Sequence, residues 1–374
     1  MKGYALSTTI FILILLTPVA FAQTSTAELK LDTGEEIFKA ACIACHGPNG
    51  KGQPQSTLGF EPPSTFPDFT DCNGSTREKE FDWKVTIHEG GHGRGFSEIM
   101  PSFAEALTPE QIEKVVKYLR SQCPDTAWPL GEMNLPRALM TEKAFPEDET
   151  VLTFSANVTG TPGVSPAYLY EKRIGVKGQL ELAVPFSFQR QSPGSWFGGV
   201  GDMVVGYKRV IAHSARTGSI FSLQGEVNIP TGNKSRELGN GVTVFETFGS
   251  FGQVLPGASF VQLQTGAELP TNTENVPKAA FLRTALGKRL VQNQGFGRSW
   301  TPMVELITDR DFETGAKTNL DVVPQFQVSL SRRQHIMVNL GVRFPANNTL
   351  GRTRELMFYV LWDWFDGGLT EGWK

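Results

Sequence analysis

Hydrophobic and polar residues alternate with a period of two through most of the second half of the chain. In QLELAVPFSFQ (179–189) the apolar side chains from Leu180 to Phe188 share one face, and HIMVNLGVRF (335–344) repeats the pattern. Strict alternation over such lengths predicts β-strands with one apolar and one polar face. We count about twelve such segments, which start near residues 150, 166, 177, 201, 217, 241, 256, 278, 298, 318, 333 and 352.

Two architectures accommodate strands of this kind. A soluble β-sandwich turns the apolar faces inward, whereas a transmembrane barrel turns them outward to lipid and lines its lumen with the polar faces. The even strand number, the strand length of about ten residues and the aromatic end FYVLWDWF (358–365) favour the barrel. We therefore predict an antiparallel outer-membrane β-barrel of about 12 strands over 150–374.

The first third of the chain has a helical pattern instead. Asp32 or Thr33 can cap a helix that continues through Phe38, and Thr108 followed by Pro109 starts a second helix with apolar residues every three or four positions. These signals predict a small all-α domain over residues 23–123. Residues 124–149 contain four prolines and many charges, and we interpret them as a linker with a short helix over 137–143.

The N-terminus carries the features of an export signal. Lys2 precedes an apolar stretch at 10–16, and Ala20-Phe21-Ala22 offers a small-residue cleavage site. We expect residues 1–22 to be a signal peptide, and the apolar stretch is too short for a membrane-spanning helix. The sequence thus predicts an exported protein.

The segment CIACH holds the clearest chemistry in the chain. Cys42 and Cys45 are three residues apart, so both thiols face one side of a helical turn, and His46 follows directly. This C-x-x-C-H pattern is the attachment sequence of a c-type haem, in which two thioethers hold the porphyrin and the histidine binds the iron. A thioredoxin-like redox pair and half of a zinc site are the alternatives.

The haem iron needs a ligand on its second face. The candidates that follow the attachment motif are His88, His92, Met100, Met133 and Met140. Met100 precedes a proline, which places its thioether on a constrained loop, and we favour it.

The stretch HEGGH (88–92) also fits the zinc-protease pattern H-E-x-x-H. That site needs a continuous helix, and each internal glycine costs about 1 kcal/mol there. A loop between the haem motif and Met100 is therefore the preferred interpretation.

Residues 32–122 resemble a class I cytochrome c. The resemblance rests on GEEIFKAACIACHGPNGKG, DFTD (68–71), DWKVTIHEGGHGRGFSEIMPSF (82–103) and LTPEQIEKVVKYLRS (107–121). It implies one haem c with His46 and Met100 as axial ligands, Trp83 beside the haem, and a contact of Gly34 and Phe38 with Tyr118 and Leu119. With both axial positions taken, the iron suits electron transfer, so we expect a non-catalytic electron carrier more than an enzyme.

The remaining cysteines, Cys72 and Cys123, admit two states. They can pair in an oxidising compartment, which would add roughly 4 kcal/mol of stability, or remain free thiols. Charge is divided as well: residues 23–145 carry 18 acids and 12 bases, whereas 146–374 carry 20 acids and 22 bases. The acidic first unit suggests a basic docking surface on a redox partner, and the balance of the whole chain gives no reason to expect a nucleic-acid partner.

The second half resembles an outer-membrane barrel family linked to operons for the degradation of phenol and other aromatic compounds. GVGDMVVGYKR (199–209) and NIPTG (228–232) carry that resemblance. The leading hypothesis is a periplasm-facing mono-haem cytochrome tethered to an outer-membrane barrel, in contact with the lipid bilayer and with a periplasmic redox partner. One alternative is a channel for a small, aromatic solute with the cytochrome as a redox-linked gate. A soluble dehydrogenase with a β-sandwich half is the other, although 150–374 contains no clustered nucleophile or ligand set.

Overall fold

The computed structural model describes residues 30–54, 57–63, 66–190, 194–292 and 296–364. The predicted signal peptide, residues 1–22, lies outside them. From Leu31 onward the described residues form one compact unit, in which a helical region precedes a closed β-barrel. No helix among the described residues is both long and apolar enough to cross a membrane.

The described residues of the N-terminal region form five α-helices. The two predicted helices begin where expected, because Thr33 and Thr108 each form a capping box with the residue three positions later. A short 3₁₀ helix, Gly91–Arg94, follows the fourth helix. The helices are α1 (Gly34–Ala41), α2 (Ile43–His46), α3 (Cys72–Ser75), α4 (Glu80–Glu89) and α5 (Pro109–Ser121).

Helices α1 and α5 cross at close range, as the resemblance to class I cytochromes implied. A Cβ on Gly34 would lie 2.0 Å from the backbone oxygen of Lys114 and 2.9 Å from Cβ of Tyr118. The rings of Phe38 and Tyr118 are 5.3 Å apart, and Leu119 belongs to the same core cluster. Only glycine lets the two backbones approach this closely.

A disulfide closes the last part of the helical region. Cys72 starts α3 and Cys123 follows α5, and the structure joins them with their Cα atoms 5.3 Å apart. The start of α3 is therefore held covalently against the end of α5.

Twelve antiparallel strands form the barrel, in agreement with the predicted number. Each strand pairs with its sequence neighbours, and the twelfth pairs with the first from Glu149 opposite Asp363 to Asn157 opposite Glu355, which closes the sheet. Two strands are interrupted: the fourth by Gly201-Asp202 and the eighth at Arg289. The strands are β1 (Glu149–Asn157), β2 (Gly163–Ile174), β3 (Gly178–Arg190), β4 (Trp196–Val200 and Met203–Ser214), β5 (Ser219–Ile229), β6 (Val244–Leu255), β7 (Ser259–Pro270), β8 (Ala279–Lys288, continued by Leu290–Val291), β9 (Ser299–Asp311), β10 (Asn319–Ser329), β11 (Ile336–Pro345) and β12 (Glu355–Asp363).

The barrel is apolar outside and polar inside. On β3 the side chains of Leu180 and Phe188 are exposed while Gln179 and Glu181 are buried, and on β11 Leu340 is exposed while Asn339 is buried. Because apolar residues face outward on a closed sheet, the sandwich alternative is wrong: its apolar faces would meet inside.

A peptide segment fills the lumen. Residues 134–148, which we predicted to be part of a linker, lie inside the barrel and are bound by side chains from around the wall, and no helix forms over 137–143. Wall side chains that hydrogen-bond this segment include residues of β3, β7, β9, β10 and β12: Gln179, Gln262, Gln264, Glu305, Gln325, Gln327 and Tyr359. We call residues 134–148 the plug.

Glu305 on β9 is the main anchor of the plug. Its carboxylate accepts hydrogen bonds from the backbone N–H groups of Leu139 (2.9 Å), Met140 (3.1 Å) and Thr141 (2.7 Å), and from the Thr141 hydroxyl (2.6 Å). The side chain is completely buried. These amides bind a carboxylate in place of carbonyls four residues back, which explains why the predicted helix is absent.

Two cations of the plug pair with buried acids, which belong to the first two strands and to the plug itself. Arg137 donates to Glu149 on β1 (2.7 Å) and to Glu171 on β2 (2.9 Å). Lys143 lies 2.5 Å from Glu147 and 3.1 Å from Glu149. All five groups are nearly or fully buried, and such charges persist in a protein interior only when paired.

The helical region contacts the end of the barrel at which the plug enters. In the β8–β9 connection, the carbonyl of Phe296 accepts a hydrogen bond from Arg94 (3.1 Å). In the β10–β11 turn, Arg333 donates to the carbonyl of Gly95 and lies 4.4 Å from the centre of the Phe96 ring. These two contacts join the regions through barrel turns.

The helix crossing gives the first prediction. We expect Gly34→Ala to lower the free energy of unfolding of the helical region by about 2 kcal/mol, because the new Cβ meets backbone that cannot move aside. Urea unfolding followed by far-ultraviolet circular dichroism measures the change. The matched control is Gly59→Ala, whose Cβ would have no neighbour within 4 Å; equal stability of the two variants would contradict the crossing.

The plug gives the second prediction. Glu305→Ala leaves the donors of residues 139–141 buried without an acceptor, so we expect a loss of about 3 kcal/mol and faster proteolysis within 134–148. Limited proteolysis of the folded chain, with mapped cleavage sites, is the measurement. Glu313→Ala removes an exposed carboxylate in the connection after β9 and serves as the control. Identical cleavage patterns would show that Glu305 does not hold the plug.

Candidate haem site

The two cysteines and the histidine of the attachment motif lie on consecutive turns. Cys42 caps the end of α1, and its carbonyl accepts hydrogen bonds from the N–H groups of Cys45 (3.2 Å) and His46 (3.0 Å). Gly47 ends α2 at φ +71°, where a Cβ would lie 2.5 Å from the carbonyl oxygen of Gly52. The motif therefore forms one compact turn that presents both sulfurs and the imidazole together.

His46 has the properties of an iron ligand. Phe66 stacks on the imidazole at 5.1 Å with the ring planes 5° apart, and Phe69 lies 5.4 Å away. Burial lowers the pKa of His46 to about 4, so the ring is neutral at pH 7 and has a lone pair to donate. Its Nδ1 is buried and makes no hydrogen bond within the described part of the chain.

The cysteines do not have the properties of a redox pair or a zinc site. Burial raises the pKa of Cys42 to about 11, whereas a thioredoxin-type cysteine needs a lowered pKa. The groups of acidic, histidine and cysteine side chains that could hold a metal within the described ranges include neither Cys42, Cys45 nor His46. Covalent attachment of both sulfurs to a porphyrin remains the chemistry that suits them.

Met100 packs against the same core cluster as Cys42. Its carbonyl accepts a hydrogen bond from the N–H of Gly91 (3.0 Å), and a Cβ on Gly90 would lie 2.9 Å from the Met100 oxygen. The two glycines of HEGGH thus let the Met100 loop fold back closely onto the end of α4.

The structure separates the two histidines of HEGGH. Helix α4 ends at Glu89, so His88 and His92 do not lie on one helical face, and the zinc-protease pattern is broken. His88 stacks on Phe296 of the barrel at 4.6 Å and lies 2.8 Å from Glu89, whereas His92 is exposed. None of these contacts of His88 involves Cys42, Cys45 or His46.

Trp83 joins the site through Phe69. The two rings meet edge to face at 5.3 Å, and the guanidinium of Arg120 lies over the indole at 4.1 Å. Trp83 packs against the cluster that includes Cys42 and Met100. The roles of Phe66, Phe69 and Arg120 could not be predicted from the sequence. Phe69 lies within the DFTD stretch, but nothing in its local pattern indicates contact with His46.

These residues fit a covalently attached haem. Two thiols one turn apart and a neutral buried imidazole would supply the attachment points and one axial ligand, and a methionine held against the same apolar cluster would supply the other. The surrounding side chains are aromatic or aliphatic, as a porphyrin requires.

Sequence comparison supports the same assignment. Residues 31–122 match the cytochrome c family. Chloroplastic cytochrome c6 of Chlamydomonas reinhardtii is 33% identical over 116 residues, which cover 31% of this chain and 68% of that protein. Cytochrome c6 of Porphyra purpurea is 33% identical over 113 residues, which cover 30% of this chain and 84% of that protein.

Structural comparison finds other barrels. An outer-membrane channel from Pseudomonas putida F1 superimposes with a TM-score of 0.39 at 13% identity, covering 61% of this chain and 99% of the channel. The NanC porin gives a TM-score of 0.41 at 5% identity, covering 57% of this chain and 98% of the porin.

The helical region therefore has the haem attachment turn and the crossed first and last helices of a cytochrome c. Its sequence aligns over most of the length of cytochrome c6. The family implies covalently bound haem c and electron transfer. By these observations the chain belongs to the cytochrome c family.

Proposed function

We propose that this protein is a mono-haem electron carrier held at the periplasmic face of the outer membrane by its own β-barrel. Cys42 and Cys45 hold the haem covalently, and His46 and Met100 bind the iron from opposite faces. The observation that carries the proposal is the packing of Cys42 and Met100 against one cluster beside the neutral imidazole of His46. When bound, the haem supplies reversible one-electron oxidation and reduction.

The chain's own residues favour electron transfer over catalysis. Two protein ligands leave no coordination position for a substrate, which argues for a carrier more than for an enzyme. Phe66 and Phe69 pack directly on His46, and Trp83 packs edge to face on Phe69, so aromatic rings line the site. A thioether ligand and an apolar setting both raise the reduction potential.

The barrel exterior supports the membrane tether. Large apolar side chains are exposed on the outer face around the barrel, among them Leu152, Leu180, Val205, Leu223, Leu263, Leu282, Leu306 and Leu340. A soluble protein does not expose such a continuous apolar surface, whereas a lipid-embedded barrel requires it. Export by the predicted signal peptide over 1–22 accords with this location.

The strand number supports the orientation. With twelve strands, the entry to β1 and the exit from β12 lie at the same end of the barrel. The connections at that end include the tight turns 175–177, 215–218 and 256–258, whereas the opposite end has the long connection 230–243. Short turns of outer-membrane barrels face the periplasm, so the cytochrome would lie there.

A basic redox partner follows from the charge of the first unit. Residues 23–145 have an excess of six acids over bases, and several of these acids, including Glu35, Glu98, Glu105 and Glu110, are exposed. Opposite charge steers a transient redox encounter and is screened by salt.

A gated channel is the second candidate, and the plug is the observation that favours it. Residues 134–148 fill the lumen, so passage of a solute requires their displacement. Solute uptake that needs the barrel yet survives Cys42→Ala would support this candidate. Unchanged uptake in cells lacking the protein would exclude it.

The axial ligand gives the third prediction. Met100→Ala should leave the haem attached through Cys42 and Cys45 but abolish the low-spin spectrum of a methionine-ligated iron. Haem staining and visible absorption of the purified protein measure the two properties. Met140→Ala, in the plug, is the control and should keep the spectrum. An unchanged Met100→Ala spectrum would redirect the assignment to His88 or His92.

The membrane tether gives the fourth prediction. Leu340 lies at the middle of β11 with 52% of its surface exposed, so Leu340→Arg should cost about 2–4 kcal/mol at the bilayer centre. Recovery of folded, heat-modifiable protein from outer membranes should fall. Leu350→Arg is the control, because Leu350 is 98% exposed in the connection between β11 and β12. If both variants insert equally well, the exposed face is not in lipid.

A further inference from the structure

A cavity of about 60 Å³ lies where the helical region, the plug and the barrel turns meet. The start of α4 contributes Lys79 and Asp82, the plug contributes Arg137 and Lys143, and the β8 interruption contributes Arg289. A cavity needs roughly 10–15 Å³ to hold one water molecule, so this one has room for several waters or a small ion. No residue of the haem attachment turn lines it.

The lining is strongly cationic. Among the lining residues, six are lysine or arginine and three are aspartate or glutamate: Arg77, Lys79, Arg137, Lys143, Arg289 and Arg333 against Glu78, Asp82 and Asp363. Three of these cations have acid partners that do not line the cavity: Arg77 pairs with Asp148, Arg137 with Glu149 and Lys143 with Glu147. The lining acids are also engaged, since Glu78 lies 3.4 Å from His335 and Asp82 lies 2.9 Å from Arg94.

Of the remaining three cations, Arg333 contacts Gly95 and Phe96, whereas Lys79 and Arg289 have no acid within salt-bridge distance. Arg289 donates one hydrogen bond, to the neutral side chain of Gln334 (2.7 Å), and Lys79 has no side-chain hydrogen bond or ion pair to any described residue. Burial, and next the charge of Arg289, lower the pKa of Lys79 to about 8, although the nearby charge of Asp82 acts in the opposite direction. At pH 7 the ammonium group therefore remains charged and faces a second positive charge.

The two cations come from opposite sides of an interface. Lys79 is the N-cap residue of α4 in the helical region, whereas Arg289 lies at the interruption of β8. Like charges brought together in a part-buried setting repel, which would oppose the docking of one region on the other. A negative ion between them would convert that repulsion into two attractions.

We propose that this cavity binds a small inorganic anion of the size of chloride, which bridges Lys79 and Arg289 and couples the helical region to the barrel. A monatomic anion fits the volume of the cavity, and the two cations without an acid partner favour negative charge. The site does not use the haem or its ligands, so it stands independently of the proposed electron transfer.

The test compares chloride with gluconate at equal ionic strength, on the haem-loaded full chain in detergent. We expect chloride to raise the thermal unfolding midpoint and to slow amide exchange at residues 79–82 and 289–291, because an ion that binds only the folded state stabilises it. Equal ionic strength removes general screening as an explanation. Identical midpoints and identical exchange in the two salts would overturn the proposal.

Variants assign the effect to the two cations. Lys79→Gln and Arg289→Gln should each weaken the chloride dependence at least about tenfold, since each removes one charge-assisted hydrogen bond. In gluconate, Lys79→Gln should be no less stable than the unmodified chain, because it removes an uncompensated charge. Lys317→Gln removes an exposed charge at the far end of the barrel and should keep the full response.

Bromide supplies a direct readout that does not depend on the variants. A crystal grown with bromide in place of chloride should show an anomalous peak between the Lys79 ammonium and the Arg289 guanidinium. A chloride response that is equal in Lys79→Gln and Lys317→Gln, or the absence of that peak, would refute the site.

Discussion

The polar interior of the barrel is the constraint on which the rest of the structure depends. Turning the apolar side chains outward leaves Glu149, Glu171 and Glu305 facing inward, where none of them is exposed to solvent. Unpaired carboxylates in such a place would be very costly. The plug satisfies them with Arg137, Lys143 and the amides of 139–141, so the same segment fills the lumen and neutralises its acids.

This arrangement also fixes where the cytochrome can be. The plug runs directly from the helical region into β1, and its first residues are held by the wall. A flexible linker would let the cytochrome sample many positions, whereas a buried one ties it to the barrel mouth. Contacts of Arg94 and Arg333 across the same boundary add to that restraint. The turns that surround the plug entrance thus serve as a platform for the cytochrome.

The features that the sequence could predict are those with a local cause. A strand's alternation between two faces is a property of neighbouring residues, and so all twelve strands were found near their starts. The attachment turn and the two capped helices are equally local. The plug was misread as a linker because its charges and prolines are typical of exposed chain, while their partners lie on strands distant in sequence, as with Thr141 and Glu305. The packing of Phe66 on His46 and the meeting of Lys79 with Arg289 are non-local for the same reason.

The filled lumen bears on what the barrel contributes to redox chemistry. Its interior is lined by carboxylates, amides and paired cations and, among the described residues, contains no second set of haem-attaching cysteines. In the proposed orientation, one haem at the mouth of such a barrel can accept and donate electrons only on the side where it lies. The barrel then acts as an anchor, and its effect is to confine the carrier to a membrane surface. Confinement raises the local concentration of the carrier for partners at the same surface, as linking two binding modules does. An acidic cytochrome would otherwise depend on weak, salt-screened steering alone to meet a basic partner.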